Sequence, residues 1–409
     1  MLSTVKQRPE YTFKHNQNLG RHGWLRLTPA YGVKLVEKLL TSVEPDAMIL
    51  DPFSGTGTTG LVAAEQGKQA ILFDINPFLV WLGTAKCRNY SKAEITDIRN
   101  RIKLAFKDYK ALINQDNWIP AIFNIERWWS RHTLKLLTAL RTALVNYFGE
   151  PENNHYSLVW IAFCRLIIET SSASFNHVSM SFQETVNQFD IEYTEDLFLT
   201  ILEFILKTAE TNISGMITII ETDSKTLIGL DHIKADQVIT SPPYPNRMSY
   251  IRELRPYMYW TKFITEAKEA GEIDWLTIGG TWGIATSRLN SWQIEEKNLP
   301  KELFITVDKI NKSGGKNADL MAIYVLKYFH DIHLHLSSLR SILKDQANLY
   351  YIIGNSNFFN NTVDTALILS ESLKILGYKQ INYEIIRKRN CHKALYEYCV
   401  SASRTESKT

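Results

Sequence analysis

Apolar residues near the start of the chain follow the pattern of a strand, a turn, a helix and a second strand. The strand-like AMILDPF (47–53) leads through a glycine-rich turn and the helical LVAAEQG to a second strand, QAILFDIN (69–76). Gly67 is expected to end the first helix, and Asn76 followed by Pro77 is expected to begin the next one. The segment therefore predicts a right-handed βαβ unit.

Helical periodicity dominates from about residue 92 to residue 210, as in HYSLVWIAFCRLII and TEDLFLTILEFILKTAE. Strand patterns return at GMITIIETDS (215–224) and DQVITSPPY (236–244), and then at LYYIIGNS, QINYEIIRK and ALYEYCVSA, with apolar helices between them. The pattern predicts an α/β fold whose core is interrupted by a helical insertion. Its last two strands are expected to form an antiparallel edge hairpin.

Composition limits the classes of function. The 409 residues carry 46 Lys and Arg against 43 Asp and Glu, a formal charge of +3, so nucleic-acid binding would depend on a local patch. Cys87, Cys164, Cys391 and Cys399 form no CxxC pair, which argues against a disulfide framework or a zinc module. The N-terminus lacks a signal-peptide core, and no apolar run would span a bilayer, so we expect a soluble cytosolic protein.

The segment DPFSGTGTT (51–59) is the first candidate for chemistry. Gly55 and Gly57 follow a predicted strand and open a helix, which lets the backbone approach a ligand, and Asp74 ends the next strand where ribose-binding carboxylates lie. No G-K-[ST] follows, the third glycine of a dinucleotide fingerprint is missing, and Asp51 would repel phosphate but attract an ammonium group. These features favour S-adenosylmethionine. The alternative is a tight turn without a ligand.

The tetrapeptide Ser241-Pro242-Pro243-Tyr244 is the second candidate. Two prolines cannot continue a central strand, so the chain must leave the sheet as a rigid loop. The Ser241 hydroxyl and the Pro242 carbonyl could accept hydrogen bonds from an exocyclic amine, while Tyr244 offers a face on which an extruded base can stack. The alternative is a strand terminator followed by a packing tyrosine.

Together, DPFSGTGTT, FDINP, TDS and TSPPY resemble the bacterial amino-methyltransferases of DNA, with their F-x-G-x-G and [DNS]-P-P-[YFW] blocks. HGWLRLTPAYGVKLVEKLL (22–40) resembles the block that precedes the glycine loop. The resemblance implies a Rossmann-like class I methyltransferase sheet in which Ser241, Pro242, Pro243 and Tyr244 are catalytic. It further implies that the cofactor is held by Thr28, Pro29, Asp51, Phe53, Ser54, Gly55, Gly57, Thr58, Asp74, Ile75, Asp223 and Ser224.

The resemblance divides the chain into a cofactor-binding part of the catalytic domain (1–91), the insertion (92–212) and a C-terminal part (213–409). S-P-P-Y tends to accompany N4-cytosine enzymes of restriction-modification systems. Double-stranded DNA is thus the expected substrate, and whether a cognate endonuclease acts separately beside the protein stays open. N6-adenine methylation, methylation of guanine N2 or adenine N6 in RNA, and a non-catalytic nucleic-acid-binding subunit stay open as alternatives.

Cations and aromatic residues follow the tetrapeptide, and we expect a DNA-facing segment at about 245–317, with contacts from Asn246, Arg247, Tyr250 and Arg252. Trp275, Trp282 and Trp292 could belong to a recognition element or to ordinary packing. A cluster at the start of an insertion helix fits either a phosphate-binding edge or a charged helix face, and it comprises Arg127, Trp128, Trp129, Arg131, His132 and Lys135.

Two other chemistries are disfavoured. Methylation at C5 of cytosine needs a nucleophilic cysteine, and none of the four lies in a Pro-Cys loop after a strand. His333-x-His335 and Cys391-His392 lack the spacing of a complete ligand set, so no metal is expected.

Overall fold

The computed structural model describes residues 5–27, 31–152, 154–174, 181–246, 249–280, 284–296, 298–389 and 394–405, and only the backbone of residues 154 and 284–286. The helices are α1 Phe13–Asn16, α2 Val33–Leu40, α3 Thr58–Glu65, α4 Pro77–Cys87, α5 Lys92–Leu112, α6 Arg131–Phe148, α7 Ser157–Glu169, α8 Ile191–Ala209, α9 Tyr250–Trp260, α10 Ala267–Leu276, α11 Ile284–Leu289, α12 Lys301–Asn311, α13 Ala318–Leu339 and α14 Thr365–Ile375. The strands are β1 Met48–Asp51, β2 Gln69–Asp74, β3 Ala173–Ser174, β4 Ser181–Phe182, β5 Met216–Glu221, β6 Ala235–Thr240, β7 Leu343–Gly354, β8 Ser356–Phe358, β9 Asn361–Val363, β10 Lys379–Lys388 and β11 Tyr396–Ser403.

A seven-stranded sheet organises the chain in the order β10-β11-β7-β6-β1-β2-β5. Strands β7, β6, β1, β2 and β5 run parallel, whereas β11 is antiparallel to both β7 and β10. This mixed, mostly parallel sheet confirms the predicted α/β fold class, including the antiparallel hairpin at the C-terminal edge.

Successive residues of β1 face opposite sides of the sheet, as a strand requires. Ile49 packs among residues of α2 and α3, whereas Leu50 packs among residues of α13 and α14. Both side chains are fully buried. The apolar run MILD therefore forms a central strand covered by helices on both sides.

Local signals set the boundaries of the cofactor-side helices. Gly57 adopts a positive φ of 76° immediately before α3, and Gly67, with φ 73°, follows its end. The Asn76 side chain accepts a hydrogen bond from the Phe78 amide, and Pro77 occupies the first turn of α4. The predicted helix boundaries at Gly67 and Asn76 agree with these positions.

Residues 92–212 hold helices α5 to α8 and, in their described part, one short hairpin of β3 with β4. Their apolar faces join α4 and α9 in one core that includes Trp129, Trp160 and Trp260. Because α9 begins a few residues after the Ser241–Tyr244 loop, the insertion supports the chain on the far side of that loop. Among the described helices, none has the length and apolar content needed to cross a membrane.

Candidate active site

A cavity of about 530 Å³ lies where β1, β2, β5 and β6 end. Strands β1 and β6 are parallel neighbours, with Ile49 opposite Gln237. The chain continues from β1 to β2 on one side of this pair and from β6 to β7 on the other side. Such a switch point leaves a crevice at the carboxyl ends of the strands, where open α/β sheets bind ligands. The glycine loop and the Ser241–Tyr244 loop form two walls of one cavity.

Most of the predicted site residues line this cavity: Phe53, Ser54, Gly55, Thr58, Asp74, Ile75, Asp223, Ser224, Ser241, Pro242, Pro243, Tyr244, Asn246 and Tyr250. Asp51, Gly57 and Arg252 are not among its lining residues. Thr28, Pro29 and Arg247 lie outside the described residues.

The glycine loop is held by backbone hydrogen bonds to the neighbouring strand. The Ser54 amide donates to the Phe73 carbonyl at 2.9 Å, and the Gly55 amide donates to Asp74 Oδ2 at 2.9 Å. Gly55 lies on the cavity wall with a φ of 51°, a conformation that glycine adopts without strain. The loop therefore presents backbone where a side chain would fill the space.

Asp74 is the acidic group of the cofactor end. Besides the Gly55 amide, the Asn76 amide donates to its Oδ1 atom at 2.9 Å. Burial raises the pKa of Asp74 to about 7, although these two backbone donors favour the carboxylate. A ligand with hydroxyl donors would further stabilise the ionised form.

Asp51 does not have the role expected from the sequence. Its side chain is fully buried, and its oxygens accept hydrogen bonds from Thr59 Oγ1 and Thr240 Oγ1, each at 2.6 Å, and from the Phe53 amide at 3.0 Å. Burial raises its pKa to about 6. Since the side chain is fully buried and is not among the residues that line the cavity, Asp51 does not face a cofactor ammonium group; it joins the start of the glycine loop to Thr240, the residue before Ser241.

His335 supports the cofactor end from behind and was considered from the sequence only as a metal ligand. Its Nδ1 lies 2.8 Å from the Ser224 carbonyl and its Nε2 2.6 Å from the Tyr351 hydroxyl, while its ring meets Phe53 edge-on at 4.7 Å. Burial lowers its pKa to about 4, so the ring is neutral at physiological pH. Within the described ranges, no group of three or more His, Cys, Asp or Glu side chains could hold a metal ion; Cys391 and His392 fall outside them.

Lys86 is a second supporting residue that the sequence did not single out. It is 1% exposed, and its Nζ donates to the Thr56 carbonyl of the glycine loop at 2.7 Å. Burial lowers the pKa of this amine to about 8. An isolated lysine in an apolar helix gives no sequence signal that separates such a contact from an exposed position.

The Ser241–Tyr244 loop is rigidly supported. The Tyr328 hydroxyl donates to the Pro243 carbonyl at 2.7 Å, and the Tyr244 amide donates to the Tyr250 hydroxyl at 3.3 Å. Tyr250, predicted to contact DNA, thus supports the loop, and burial raises its pKa to about 12. The Asn246 amide donates to the Tyr244 carbonyl at 2.8 Å.

The Tyr244 side chain extends from the Ser241–Tyr244 loop to the C-terminal hairpin. Its hydroxyl donates to Glu397 Oε1 at 2.9 Å, and the Arg389 guanidinium lies 5.3 Å from the centre of its ring. Burial, followed by the Glu397 charge, raises the pKa of Tyr244 well above the ordinary value. Glu397 and Arg389 were missed in the sequence because strand pairing brings them to the site.

Cationic residues from both ends of the chain also line the cavity. Arg8 and Lys14 are exposed, and Lys388 and Arg389 are partly exposed at the end of the hairpin. The Lys388 amide donates to the Lys6 carbonyl at 3.1 Å, which joins the two segments. This basic surface lies outside the segment 245–317 that the sequence favoured for DNA contact.

The other candidate clusters have mixed outcomes. Trp128 and Trp129 are buried and stacked at 5.5 Å between ring centres, so they belong to the insertion core rather than to a basic surface. Trp275 lies between two cations, 5.7 Å from Arg288 and 4.7 Å from Lys327. Trp282 lies outside the described residues.

Comparison with known proteins gives a family match and several relatives. Residues 7–83 match a family model described as DNA methylase, of the N6/N4 type. The chain is 18% identical over 380 residues to the type II methyltransferase M.MvaI of Kocuria varians, covering 88% of this chain and 82% of that protein. It is 23% identical over 267 residues to M.BsoBI of Geobacillus stearothermophilus, covering 59% and 52%. It is 41% identical over 61 residues to M.PvuII of Proteus hauseri, covering 14% and 18%.

Among solved structures, the rRNA methyltransferase AviRa of Streptomyces viridochromogenes aligns with 92% of this chain and 86% of its own, at 12% identity and a TM-score of 0.30. The family match covers the glycine loop, Asp74 and most of α4, the part of the chain that forms the cofactor end of the cavity. Residues 7–83 therefore match the N6/N4 DNA methylase family, and the relatives to which the chain is similar are type II methyltransferases.

Proposed function

We propose that the protein transfers the methyl group of S-adenosylmethionine to the N4 amine of a cytosine extruded from duplex DNA, as the modifying enzyme of a restriction-modification system. The observation that carries the proposal is the shared cavity, in which the glycine loop and the Ser241–Tyr244 loop face each other from adjacent strands. Neither loop is specific alone. Their convergence provides a cofactor end and an amine end within one crevice.

The residues at the cofactor end suit S-adenosylmethionine. Asp74 offers a carboxylate to ribose hydroxyls, and Phe53, Ile75 and Leu79 offer apolar surface to an adenine ring, with Asp223 at the end of the next strand. The cavity of about 530 Å³ lies in the range of small-molecule sites, roughly 300–1,000 Å³. When bound, the cofactor supplies a methyl group activated by a positively charged sulfur.

The residues at the amine end suit a planar base. The Pro243 carbonyl already accepts a hydrogen bond from the Tyr328 hydroxyl. We expect the Ser241 hydroxyl and the Pro242 carbonyl, both from residues that line the cavity, to accept the two N–H bonds of an exocyclic amine. Both acceptors stabilise the positive charge that develops on the nitrogen as it gains the methyl group, and the amine then loses one proton. Tyr244 provides the stacking face, which offsets part of the few kcal/mol needed to unstack the base.

The basic surface at the cavity supports a nucleic-acid substrate. Arg8, Lys14, Lys388 and Arg389 place four cations on the lining of the cavity, in a chain whose net charge is only +3. Phosphate contacts of this kind provide affinity without reading sequence. Such a substrate would place the protein in the bacterial cytosol.

The choice of cytosine N4 over adenine N6 rests on the serine that begins the S-P-P-Y loop, a tendency of the family that the sequence resembles. Methylation of RNA is a weaker candidate, since the family matched by residues 7–83 is described as a DNA methylase. A subunit without catalysis is disfavoured because Gly55, Asp74 and the Ser241–Tyr244 loop are all present at one cavity.

The test combines calorimetry of S-adenosylmethionine binding with transfer of a tritiated methyl group to unmethylated genomic DNA and, separately, to total RNA. Mass spectrometry of nucleosides from the labelled polymer then identifies the base. We expect labelled DNA that contains N4-methylcytosine, and slower labelling with Tyr244→Ala. N6-methyladenine would refute the cytosine assignment. Label in RNA alone, or cofactor binding without transfer to either polymer, would refute DNA methylation.

A further inference from the structure

We infer that Glu397 is a positioning residue that holds the Tyr244 ring in the orientation needed to stack on the extruded base. The inference rests on the proposed function. It assigns a role in the amine end of the site to the C-terminal hairpin, which none of the sequence motifs includes.

Strand register brings the participating residues into one row across the sheet. Glu397 on β11 pairs with Gly354 on β7 and, on its other side, with Arg387 on β10. The three residues occupy adjacent positions on neighbouring strands, and Tyr244 approaches this row from the loop after β6. The Tyr244 side chain therefore packs against this row.

Glu397 lines the cavity beside Tyr244. It is 3% exposed, and it accepts the Tyr244 hydroxyl on Oε1 at 2.9 Å. Arg387 donates to Oε2 at 2.6 Å and to Oε1 at 2.9 Å, a bidentate ion pair that keeps the carboxylate oriented. The tyrosine hydroxyl is thus fixed to a charged acceptor that is itself immobilised.

Gly354 makes room for the ring at this point. A Cβ atom at residue 354 would lie 2.9 Å from Tyr244 Cδ2 and 2.7 Å from Arg389 Nη1, closer than real side-chain contacts allow. The Arg389 guanidinium lies beside the same ring and donates to the Asn355 carbonyl at 2.5 Å. The ring therefore contacts the backbone of β7 at its edge and a charged acceptor at its tip.

The ion pair is better explained by orientation than by stability. A buried salt bridge contributes little net stability compared with an apolar pair of similar volume. If the plane of the Tyr244 ring is fixed before the base binds, less entropy is lost on binding. The fixed ring also orients the exocyclic amine of the base more accurately for methyl transfer. The Glu397 and Arg387 pair provides that alignment at the side of the cavity opposite the glycine loop.

The test compares Tyr244→Phe, the paired replacement Arg387→Leu/Glu397→Leu, and their combination. The paired change removes the acceptor without leaving a lone buried cation, so it should fold. We expect Tyr244→Phe and the paired variant each to lower kcat for transfer to unmethylated genomic DNA by about tenfold, the loss of one hydrogen bond to a charged group. The combination should be no slower than the slower of the two, and calorimetry should give the wild-type Kd for S-adenosylmethionine throughout.

Two controls separate positioning from stability. Tyr383→Phe removes a hydroxyl that is exposed on the same hairpin and should leave kcat unchanged. Glu397→Gln keeps an acceptor oxygen for Tyr244 and should restore part of the activity that the paired leucine variant loses. A structural role alone would not produce this order of activities.

Three outcomes would overturn the inference. The first is a wild-type kcat in Tyr244→Phe. The second is a loss of kcat in the combined variant that equals the product of the two separate losses. The third is a loss of cofactor affinity in the paired variant as large as its loss of kcat. A wild-type protein that binds S-adenosylmethionine but labels no DNA would overturn the proposed function, and the inference with it. An active wild type with multiplied losses would overturn only the role of Glu397.

Discussion

Cofactor affinity should depend on pH through Asp74, and the structure gives the magnitude. Burial raises the pKa of this carboxyl to about 7, and its proposed partners, the ribose hydroxyls, favour the ionised form. With this pKa the ionised fraction falls from about nine-tenths at pH 8 to about one-tenth at pH 6. The apparent Kd of S-adenosylmethionine scales inversely with the fraction of protein in which Asp74 is ionised. The factor that Asp74 contributes to this Kd should therefore rise about tenfold from pH 8 to pH 6.

The assay is calorimetry of S-adenosylmethionine binding at pH 6, 7 and 8. The amino group of the cofactor also titrates, so the relevant quantity is the difference between the wild type and Asp74→Asn, in which the group at residue 74 cannot ionise. Asp51→Asn is the matched control, because Thr59 and Thr240 are hydroxyl partners that can exchange donor and acceptor roles. This control should keep the Asp74-dependent loss of affinity, displaced to lower pH because the Asp51 charge no longer raises the pKa of Asp74. Parallel curves for the wild type and Asp74→Asn would refute the assignment of Asp74 to the cofactor.

The stability of the cofactor-free protein should depend on pH in the opposite direction to cofactor affinity. A folded-state pKa raised above the unfolded value contributes stability that is fully present below about pH 4 and is lost as pH rises through about 7. Raising the pH through this window should therefore lower the Tm of the free protein while strengthening binding. The rise in Tm caused by a fixed concentration of cofactor should be larger at pH 8 than at pH 6.

Three further substitutions separate the parts of the site. Tyr244→Ala should raise the barrier to transfer by about 1–3 kcal/mol, the value of one stacked base, with unchanged Kd for S-adenosylmethionine; equal losses in both measurements would contradict the division of roles. Gly354→Ala should also reduce kcat without changing cofactor Kd, since the added Cβ would press on Tyr244, and wild-type kcat would show that the ring tolerates displacement. Lys86→Met should weaken cofactor binding about tenfold by removing a charged donor to the Thr56 carbonyl, measured by calorimetry, and an unchanged Kd would mean that the glycine loop holds its shape without it.

Local patterns predicted much of the fold because the signals act over short distances. The apolar run MILD, the glycine at 67 and the Asn76-Pro77 cap each specify their own few residues. Strand β7 was predicted to begin at Leu349 but begins at Leu343, because the polar LKDQA segment continues the strand with several exposed side chains. Polar residues at the exposed start of a strand give no alternating pattern to detect.

The site was predictable only where its chemistry is contiguous in sequence. The glycine loop, Asp74 and the Ser241–Tyr244 loop are each short motifs. The Asp51 carboxylate was assigned to the cofactor because its neighbours Thr59 and Thr240 were not recognised as donors, and Thr240 reaches it only through the pairing of β1 with β6. Glu397 likewise reaches Tyr244 through the register of three strands, which no local pattern encodes.

The pairing of β1 with β6 also constrains how the protein folds. Ile49 pairs with Gln237, so the two strands cannot meet until the whole helical insertion has been synthesised. Parallel pairing over such a separation carries a large loop-closure cost and slows folding. During synthesis, β1 and β2 would wait with apolar surface exposed while the insertion helices form, a state prone to aggregation. The helical segment between the two halves of the cavity therefore lengthens the time during which a growing chain depends on chaperones.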